Sequence, residues 1–370
     1  MTTLLIAGDA GNRKLKFRDA GENWIAEDAL VRHPTRLSDD LGGAALRPLT
    51  YLEGPAGIDY DERGKPRRRP FLLGVDAQRA GGLDQARIGT AQVRVESDAY
   101  KLQHLYMLAR SLPRSLTHDL TAGRRWKPKD LVEVEAMFAG GLPGEDAVHK
   151  PALLAWLRGK SAHRFTLGET EFRIRVAGAL IIPQHLAATC SLTFSATGAP
   201  IASGALQRKR LMLESGGGTT DYGGSVGLDI IPGTEGSVRK GAIEIATLAR
   251  DFIMGGYPGL QLSVLDVLAA MDQGEPTVFI RGTPTSVRRE LQQAADIVAT
   301  AILTDVTPKW EAHLSQAEVN LAGGTGQWIL SVVQRELGQI APVALLDDAI
   351  FRVGWGLERL ARHRMQAAQR

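Results

Sequence analysis

Disulfides have no place in this chain. Its 370 residues hold a single cysteine, Cys190, so no internal bridge can form, and a reducing, cytoplasmic location is expected. Long apolar runs are missing too. No stretch approaches the roughly 20 residues that a helix needs to cross a bilayer, and no membrane association is expected. The first residues run Thr2-Thr3-Leu4-Leu5-Ile6-Ala7, with no basic segment ahead of them and Asp9 soon after. A secretory leader has the opposite plan, so none is expected. Nor is there much excess charge. Forty-four basic residues against 41 acidic leave a net charge of +3, too little to require nucleic acid as a ligand. The densest basic run is Lys65, Arg67, Arg68 and Arg69, which reads as a solvated loop or as a contact for an acidic partner.

What is present is a globular composition, 44% hydrophobic and 23% charged, on a chain long enough for two hydrophobic cores. The chain is organised around residues 206–224. Their first part alternates and ends in Leu211-Met212-Leu213, a strand entering a core. Glu214-Ser215-Gly216-Gly217-Gly218-Thr219-Thr220-Asp221 follows. Three glycines bring backbone N–H groups close to whatever lies against them, which suits an anion; the same residues also suit a plain glycine-rich hairpin.

The remaining elements read as a mixture of strands and helices. Residues 2–9, 13–19 and 23–31 form an opening β-meander. Within it Lys14 and Lys16 share one strand face, and Leu15 and Phe17 share the other. Residues 34–90 are rich in Pro, Gly and Arg, with a strand at 71–75. A helix is expected over 98–112, stopped by Pro113, then a strand over 131–138 and a helix over 145–157. Residues 172–182 make a long strand or a strand pair, followed by Pro183 and a helix over 185–195. After the glycine hairpin, helices are expected over 241–254, 260–271 and 286–303. A strand over 318–322 ends in Gly323-Gly324-Thr325-Gly326, and helices over 328–337 and 349–365 close the chain.

One pattern occurs twice. Asp9-Ala10-Gly11 and Glu214-Ser215-Gly216 both place an acid before a hairpin turn, each ahead of a mixed sheet-and-helix region. Two halves of similar plan suggest a ligand held between two hairpins. Here the residues resemble a family. Asp9-x-Gly11 with Lys16 is similar to the first phosphate loop of the actin-like ATPases. Glu214 to Asp221 resembles their second phosphate loop, and Gly323-Gly324-Thr325 resembles their adenosine motif. The three occur in the family's order over nearly the whole chain. Residues 71–77, Gly141-Leu142-Pro143 and Ile181-Ile182-Pro183-Gln184 look like segments of the bacterial and archaeal actins of the ParM branch.

The resemblance implies an α/β, actin-like (ribonuclease H-like) fold, with two related domains and mixed sheets around a central nucleotide cleft. The first domain would cover residues 1–197, with a small insertion at about 38–90. The second would cover 198–338, with a small subdomain at about 233–276. Residues 339–370 would return to the first domain as a helix. The cofactors implied are ATP or GTP with Mg²⁺. Asp9 and Glu214 would serve the metal through water ligands, and Lys16 would reach the phosphates as a point charge. Backbone groups of Gly11, Asn12, Gly216, Gly217, Gly218 and Thr219 would clamp the phosphates. Gln184 would orient the attacking water. Gly323, Gly324 and Thr325 would line the nucleoside site, with Trp328 beside the base and Lys240 near the ribose.

Each role has a plainer counterpart. Asp9 could cap a turn, Lys16 could be a solvated strand lysine with Lys14 its rival, Gln184 could open a helix after Pro183, and Trp328 could be core. Where the family has Asp, this chain has Glu214, one methylene longer, which alters any metal or water contact there. The function implied is a nucleoside triphosphatase that assembles with itself into filaments, serving plasmid or DNA segregation or a cytoskeleton, with an adaptor protein as a possible link to DNA. The alternatives are a non-polymerising nucleotide-binding scaffold of the cell-division or pilus-assembly type, and a small-molecule kinase of the same superfamily, for which no catalytic acid stands out.

Overall fold

A computed structural model describes residues 4–11, 13–19, 22–29, 31–32, 47–55, 58, 61, 65, 67–79, 95–113 and 131–369. Much of the insertion expected at 38–90 lies outside these residues. The chain divides into two units. One comprises Met1–Pro183, Phe194–Ala199 and Gly354–Arg370; the other comprises Gln184–Thr193 and Pro200–Val353.

The first unit opens with β1 (Leu4–Ala10), β2 (Lys14–Arg18) and β3 (Trp24–Asp28) as an antiparallel meander. Short strands β4 (Val31–Arg32), β5 (Leu49–Glu53) and β6 (Pro70–Leu73) follow. The strand expected to run to residue 75 stops at Leu73, because Gly74 takes φ +54 and starts a short helix α1 (Gly74–Arg79). Helix α2 (Asp98–Arg110) starts where the Ser97 hydroxyl accepts from the Tyr100 N–H, the usual side-chain cap for an exposed helix start. Strand β7 (Leu131–Leu142) is four residues longer than the alternating pattern indicates, since its last part is buried on both faces. A 3₁₀ turn and α3 (Lys150–Leu157) replace the single helix expected over 145–157; Pro151 occupies the first turn of α3, where a missing N–H costs little. Strands β8 (His163–Leu167) and β9 (Thr170–Pro183) complete a nine-stranded sheet, order β3-β2-β1-β7-β9-β8-β5-β6-β4. Its core gathers Leu15, Phe17, Phe138 and Phe172, all buried.

The second unit begins with α4 (Gln184–Thr193), whose hydroxyls are satisfied internally: Thr189 donates to the His185 carbonyl and Thr193 to the Thr189 carbonyl. Strands β10 (Lys209–Ser215), β11 (Thr220–Val226), β12 (Asp229–Ile230) and β13 (Gly236–Val238) precede helix α5 (Ala242–Gly256). Helix α6 (Val264–Met271) starts four residues later than expected, because Ser263 and Asp266 form a reciprocal capping box. A separate hairpin, β14 (Thr277–Ile280) and β15 (Thr283–Ser286), leads into α7 (Arg288–Leu314). This helix outruns the expected end at residue 303. It passes through Pro308, which lies on the exposed side, while Val306, Trp310 and Leu314 continue the buried stripe. Strand β16 (Glu318–Ala322), helix α8 (Gly326–Leu337) and strand β17 (Val343–Leu345) follow. Helix α9 (Arg352–Gln369), preceded by a 3₁₀ turn at Ala349–Phe351, belongs from Gly354 onward to the first unit.

The repeat seen in the sequence is present in the topology. The first sheet contains the run β3-β2-β1-β7-β9, and the second is ordered β12-β11-β10-β16-β17, with β13 also on β11. In both runs the first two pairings are antiparallel and the last two parallel. The strand before each glycine turn, β1 or β10, is therefore central and closely buried.

Candidate functional site

The β10–β11 hairpin carries the largest group of candidate residues. Its register sets Glu214 opposite Asp221 and Ser215 opposite Thr220. Directly opposed residues of an antiparallel pair share a face, so two carboxylates, Glu214 at 2% exposure and Asp221 at 0%, stand side by side. The turn between them closes with the Gly216 N–H on the Thr219 carbonyl at 2.9 Å. The Thr219 hydroxyl reaches Asp221 Oδ2 at 3.4 Å.

The turn's carbonyls are fixed from behind. Gly216 C=O accepts the Ala242 N–H at 3.1 Å and the Thr325 hydroxyl at 2.7 Å, and Gly217 C=O accepts the Ile243 N–H at 2.8 Å. The first turn of α5 is thus capped by the glycine turn, since Gly241 offers no side chain to do it. In a planar trans peptide the C=O and the following N–H point in opposite directions. Anchoring the Gly216 and Gly217 carbonyls on α5 therefore aims the Gly217 and Gly218 N–H groups away from it. Two successive N–H groups on one side of a turn form an anion-binding concavity. Gly241 is needed for this closeness: a Cβ there would lie 2.5 Å from the Gly216 oxygen.

The second glycine turn is tied to the first. Strand β16 ends at Ala322, and Gly323 takes φ +86, the left-handed region that glycine adopts readily. A Cβ on Gly323 would meet the Ser215 oxygen at 2.1 Å. The Thr325 N–H donates to the Ser215 carbonyl at 3.1 Å while its hydroxyl holds Gly216. Thr325 is 1% exposed, so its side chain braces the glycine turn. A Cβ on Gly324 would meet, among the described residues, just the Ile350 side chain, at 3.7 Å and beyond. Lys240 is brought to the hairpin through its backbone: its carbonyl accepts from the Thr220 hydroxyl at 2.8 Å, and its half-exposed ammonium lies 3.8 Å from Glu244.

Gln184 is the first residue of α4, 4% exposed, directly after β9. Trp328 is buried. Its indole is 6% exposed and belongs to the core of the second unit, and Gln292 Nε2 donates to its carbonyl at 3.2 Å. It sits in the first turn of α8, on the stripe with Ile329, Val332 and Val333, and that stripe faces inward.

In the first unit, β1 and β2 set Asp9 opposite Lys16. Asp9 is 0% and Lys16 5% exposed, and Lys16 Nζ stands 2.9 Å from Asp9 Oδ2. The Gly11 N–H closes the turn on the Lys14 carbonyl at 3.1 Å; Asn12 lies outside the described residues. Lys14 shares the face but points to Asp28 at 2.7 Å and is more exposed, so Lys16, not its rival, is the lysine at the acid.

No protein-family model and no curated relative matches the sequence. Solved structures do match along its whole length. An actin-like protein, Alp7A, superposes with a TM-score of 0.71 at 14% identity, covering all of this chain and 98% of that one. A 15-stranded ParM filament from Clostridium botulinum gives 0.70 at 17% identity, covering 99% and 100%. Bacillus thuringiensis ParM with ATP gives 0.63 at 12% identity, covering 99% and 100%.

The chain has an actin-like fold.

Within this actin-like fold, two further buried polar residues lie beside the candidate ones. Asp221 closes the segment that resembles the second phosphate loop, without a role of its own there, and the hairpin places it against Glu214. The signal was present: Asp9 and Lys16 are seven residues apart, as are Glu214 and Asp221, and both pairs become cross-strand partners. The other is His185, next to Gln184. Its ring is 2% exposed and lies against Gly223 of β11. Burial in apolar surroundings pushes its pKa down to about 4, so it is neutral at pH 7.

In the second unit Glu214 and Asp221 supply hard carboxylate oxygens of the kind that Mg²⁺ takes, and in the first unit Asp9 supplies another. Among the described residues there is no cluster of three or more acids, histidines or cysteines that would form a cage. An ion that keeps most of its waters and is shared with phosphate oxygens needs only one or two carboxylates. Among the described residues, no helix is long and apolar enough to cross a membrane.

Proposed function

We propose that this actin-like chain binds a magnesium nucleoside triphosphate, ATP or GTP, hydrolyses it slowly, and assembles head to tail into filaments. The observation that carries the reading is the aimed pair of N–H groups at Gly217 and Gly218, held by α5 and Thr325 and flanked by the Glu214–Asp221 pair. Donors fixed before a ligand arrives cost little reorganisation on binding, and a phosphate is the anion that such a turn takes best. Similar chains include a ParM with ATP and a ParM filament, which supports both halves of the proposal.

Bound Mg²⁺ would neutralise charge on the phosphates. Glu214 and Asp221 would accept hydrogen bonds from its water ligands, as would Asp9 in the hairpin of the first unit. Lys16, beside Asp9, would supply a cation for phosphate oxygens. Gly323 and Gly324 would give the nucleoside a bare backbone surface, and Lys240 would sit at the entry to α5. Gln184 would hold the attacking water by its neutral amide, which aligns without acting as a strong base, so unassisted turnover should be slow. Filaments of this kind would serve DNA segregation or a cytoskeleton in the cytoplasm, with an adaptor protein linking them to cargo.

The test is sedimentation over a range of protein concentrations with triphosphate, a non-hydrolysable analogue or diphosphate, followed by electron microscopy of the pellet. A critical concentration lower with the analogue than with diphosphate is expected, because head-to-tail contacts do not close and the nucleotide selects the conformation that makes them. A monomer in every nucleotide state refutes the filament and leaves a nucleotide-binding scaffold. For catalysis, Gln184→Ala should lower kcat at least tenfold while nucleotide Kd stays within threefold, since orienting water contributes in the transition state and little before it.

A further inference from the structure

The residue after Gln184 packs in an unusual way. Both ring nitrogens of His185 are buried and make no hydrogen bond among the described residues. The ring lies close against the backbone of Gly223. A Cβ on Gly223 would stand 2.5 Å from Nε2, 2.6 Å from Cδ2 and 3.1 Å from Cε1, so no other residue at 223 tolerates the ring where it is. Gly223 follows Asp221 by two positions on β11. The other end of α4 is fastened to the same hairpin: Arg210 of β10, 2% exposed, donates to the Leu192 carbonyl at 3.4 Å and to the Thr193 hydroxyl at 3.2 Å. A cation on the last carbonyls of a helix is favourable, and here it fixes the helix's position along its axis. Helix α4 is thereby clasped at its C-terminus by Arg210 and spaced at its N-terminus by His185.

We infer that the His185–Gly223 contact is a spacer that sets the distance of Gln184 from the β10–β11 hairpin, which makes His185 a positioning residue for the attacking water. The inference rests on the role proposed for Gln184. With no hydrogen-bond partner among the described residues, what the ring contributes to the packing is volume at one point. That volume is matched by the missing side chain of Gly223, so the two positions form a size-complementary pair. Orientation errors of about 1 Å at a reacting group cost up to roughly a hundredfold in rate, and the first residue of a helix moves with the helix that carries it.

The experiment is a two-position cycle read by kcat, by Kd for a non-hydrolysable triphosphate, and by the thermal midpoint. Gly223→Ala should lower kcat about tenfold or more, with Kd within threefold of the parent. The double variant Gly223→Ala with His185→Ala should recover a substantial part of kcat, because the new methyl occupies the space that the ring vacates. Should Gly223→Ala fail to fold, His185→Ala alone carries the test: it removes the spacer without a clash and should lower kcat about fivefold or more at unchanged Kd. A parent kcat in Gly223→Ala overturns the inference, as does a double variant no better than the single, or a parent kcat in His185→Ala. A parent protein that hydrolyses no nucleoside triphosphate overturns the proposed function and this inference together. An active parent with an indifferent Gly223→Ala overturns this inference alone.

Discussion

Gly241→Ala is the sharpest probe of the glycine turn. Its backbone is extended, at φ −173, a conformation open to alanine, so any effect comes from the methyl group alone. That methyl would lie 2.5 Å from the Gly216 oxygen and 3.0 Å from the Gly217 carbonyl group, where real Cβ contacts do not fall below 3.0 Å. The Gly216 peptide must therefore move by at least about half an ångström or rotate. It cannot simply swing aside, because Thr325 Oγ holds the same oxygen at 2.7 Å. Rotation turns the Gly217 N–H, and with it half of the anion-binding pair. A hydrogen bond to a charged group is worth about 1.5–3 kcal/mol, and 1.4 kcal/mol is tenfold in affinity. Kd for a triphosphate analogue should therefore rise by about ten- to a hundredfold. The Ala242 and Ile243 N–H groups that cap α5 shift but retain acceptors, so unfolding free energy should fall by only about 1–2 kcal/mol. Calorimetric titration and urea unfolding on the same preparation separate the two. A Kd within twofold of the parent in a folded variant would refute the turn's role in anion binding.

Acid should weaken both units. Burial pushes His163 of the first unit and His185 of the second down to about 4 from 6.5. Each is protonated in the unfolded chain before it is protonated in the folded one, so the stability they carry is present above pH 6.5 and is lost as pH falls toward 4. For each ring the gap is worth about 3 kcal/mol; thermal melts between pH 7 and 4 should show the loss, and His163→Phe should flatten it for the first unit if packing is kept. Asp9→Asn keeps an acceptor for Lys16 Nζ, 2.9 Å away, but removes the charge. Metal-dependent hydrolysis should fall at least tenfold, whereas Asp9→Ala should also destabilise the first unit by about 3 kcal/mol, since it breaks a buried ion pair; equal melting of the two variants would argue against that pair's structural part.

Local patterning fixed a good deal of this protein. The strand 318–322 and its glycine stop, the two acid-before-turn hairpins and most helices follow from period and turn chemistry, because those signals act over a few residues. Boundaries failed where a neighbour decided them. The Ser263–Asp266 capping box delays α6, and the inward stripe of Val306, Trp310 and Leu314 carries α7 past Pro308. The site was legible as residue types and spacing, which name Glu214 and the three glycines. Only the tertiary structure decided how those residues are arranged. Register made Asp221 the partner of Glu214. Hydrogen bonds from residues 26 and 109 positions away aimed the turn, through Ala242 and Thr325 on Gly216. The inward face of α8 took Trp328 into the core, and the bare backbone of Gly223 received His185. The reason is physical: propensity and periodicity are properties of a chain segment, whereas the direction of a carbonyl or the room beside a ring depends on what packs against it from elsewhere in the fold.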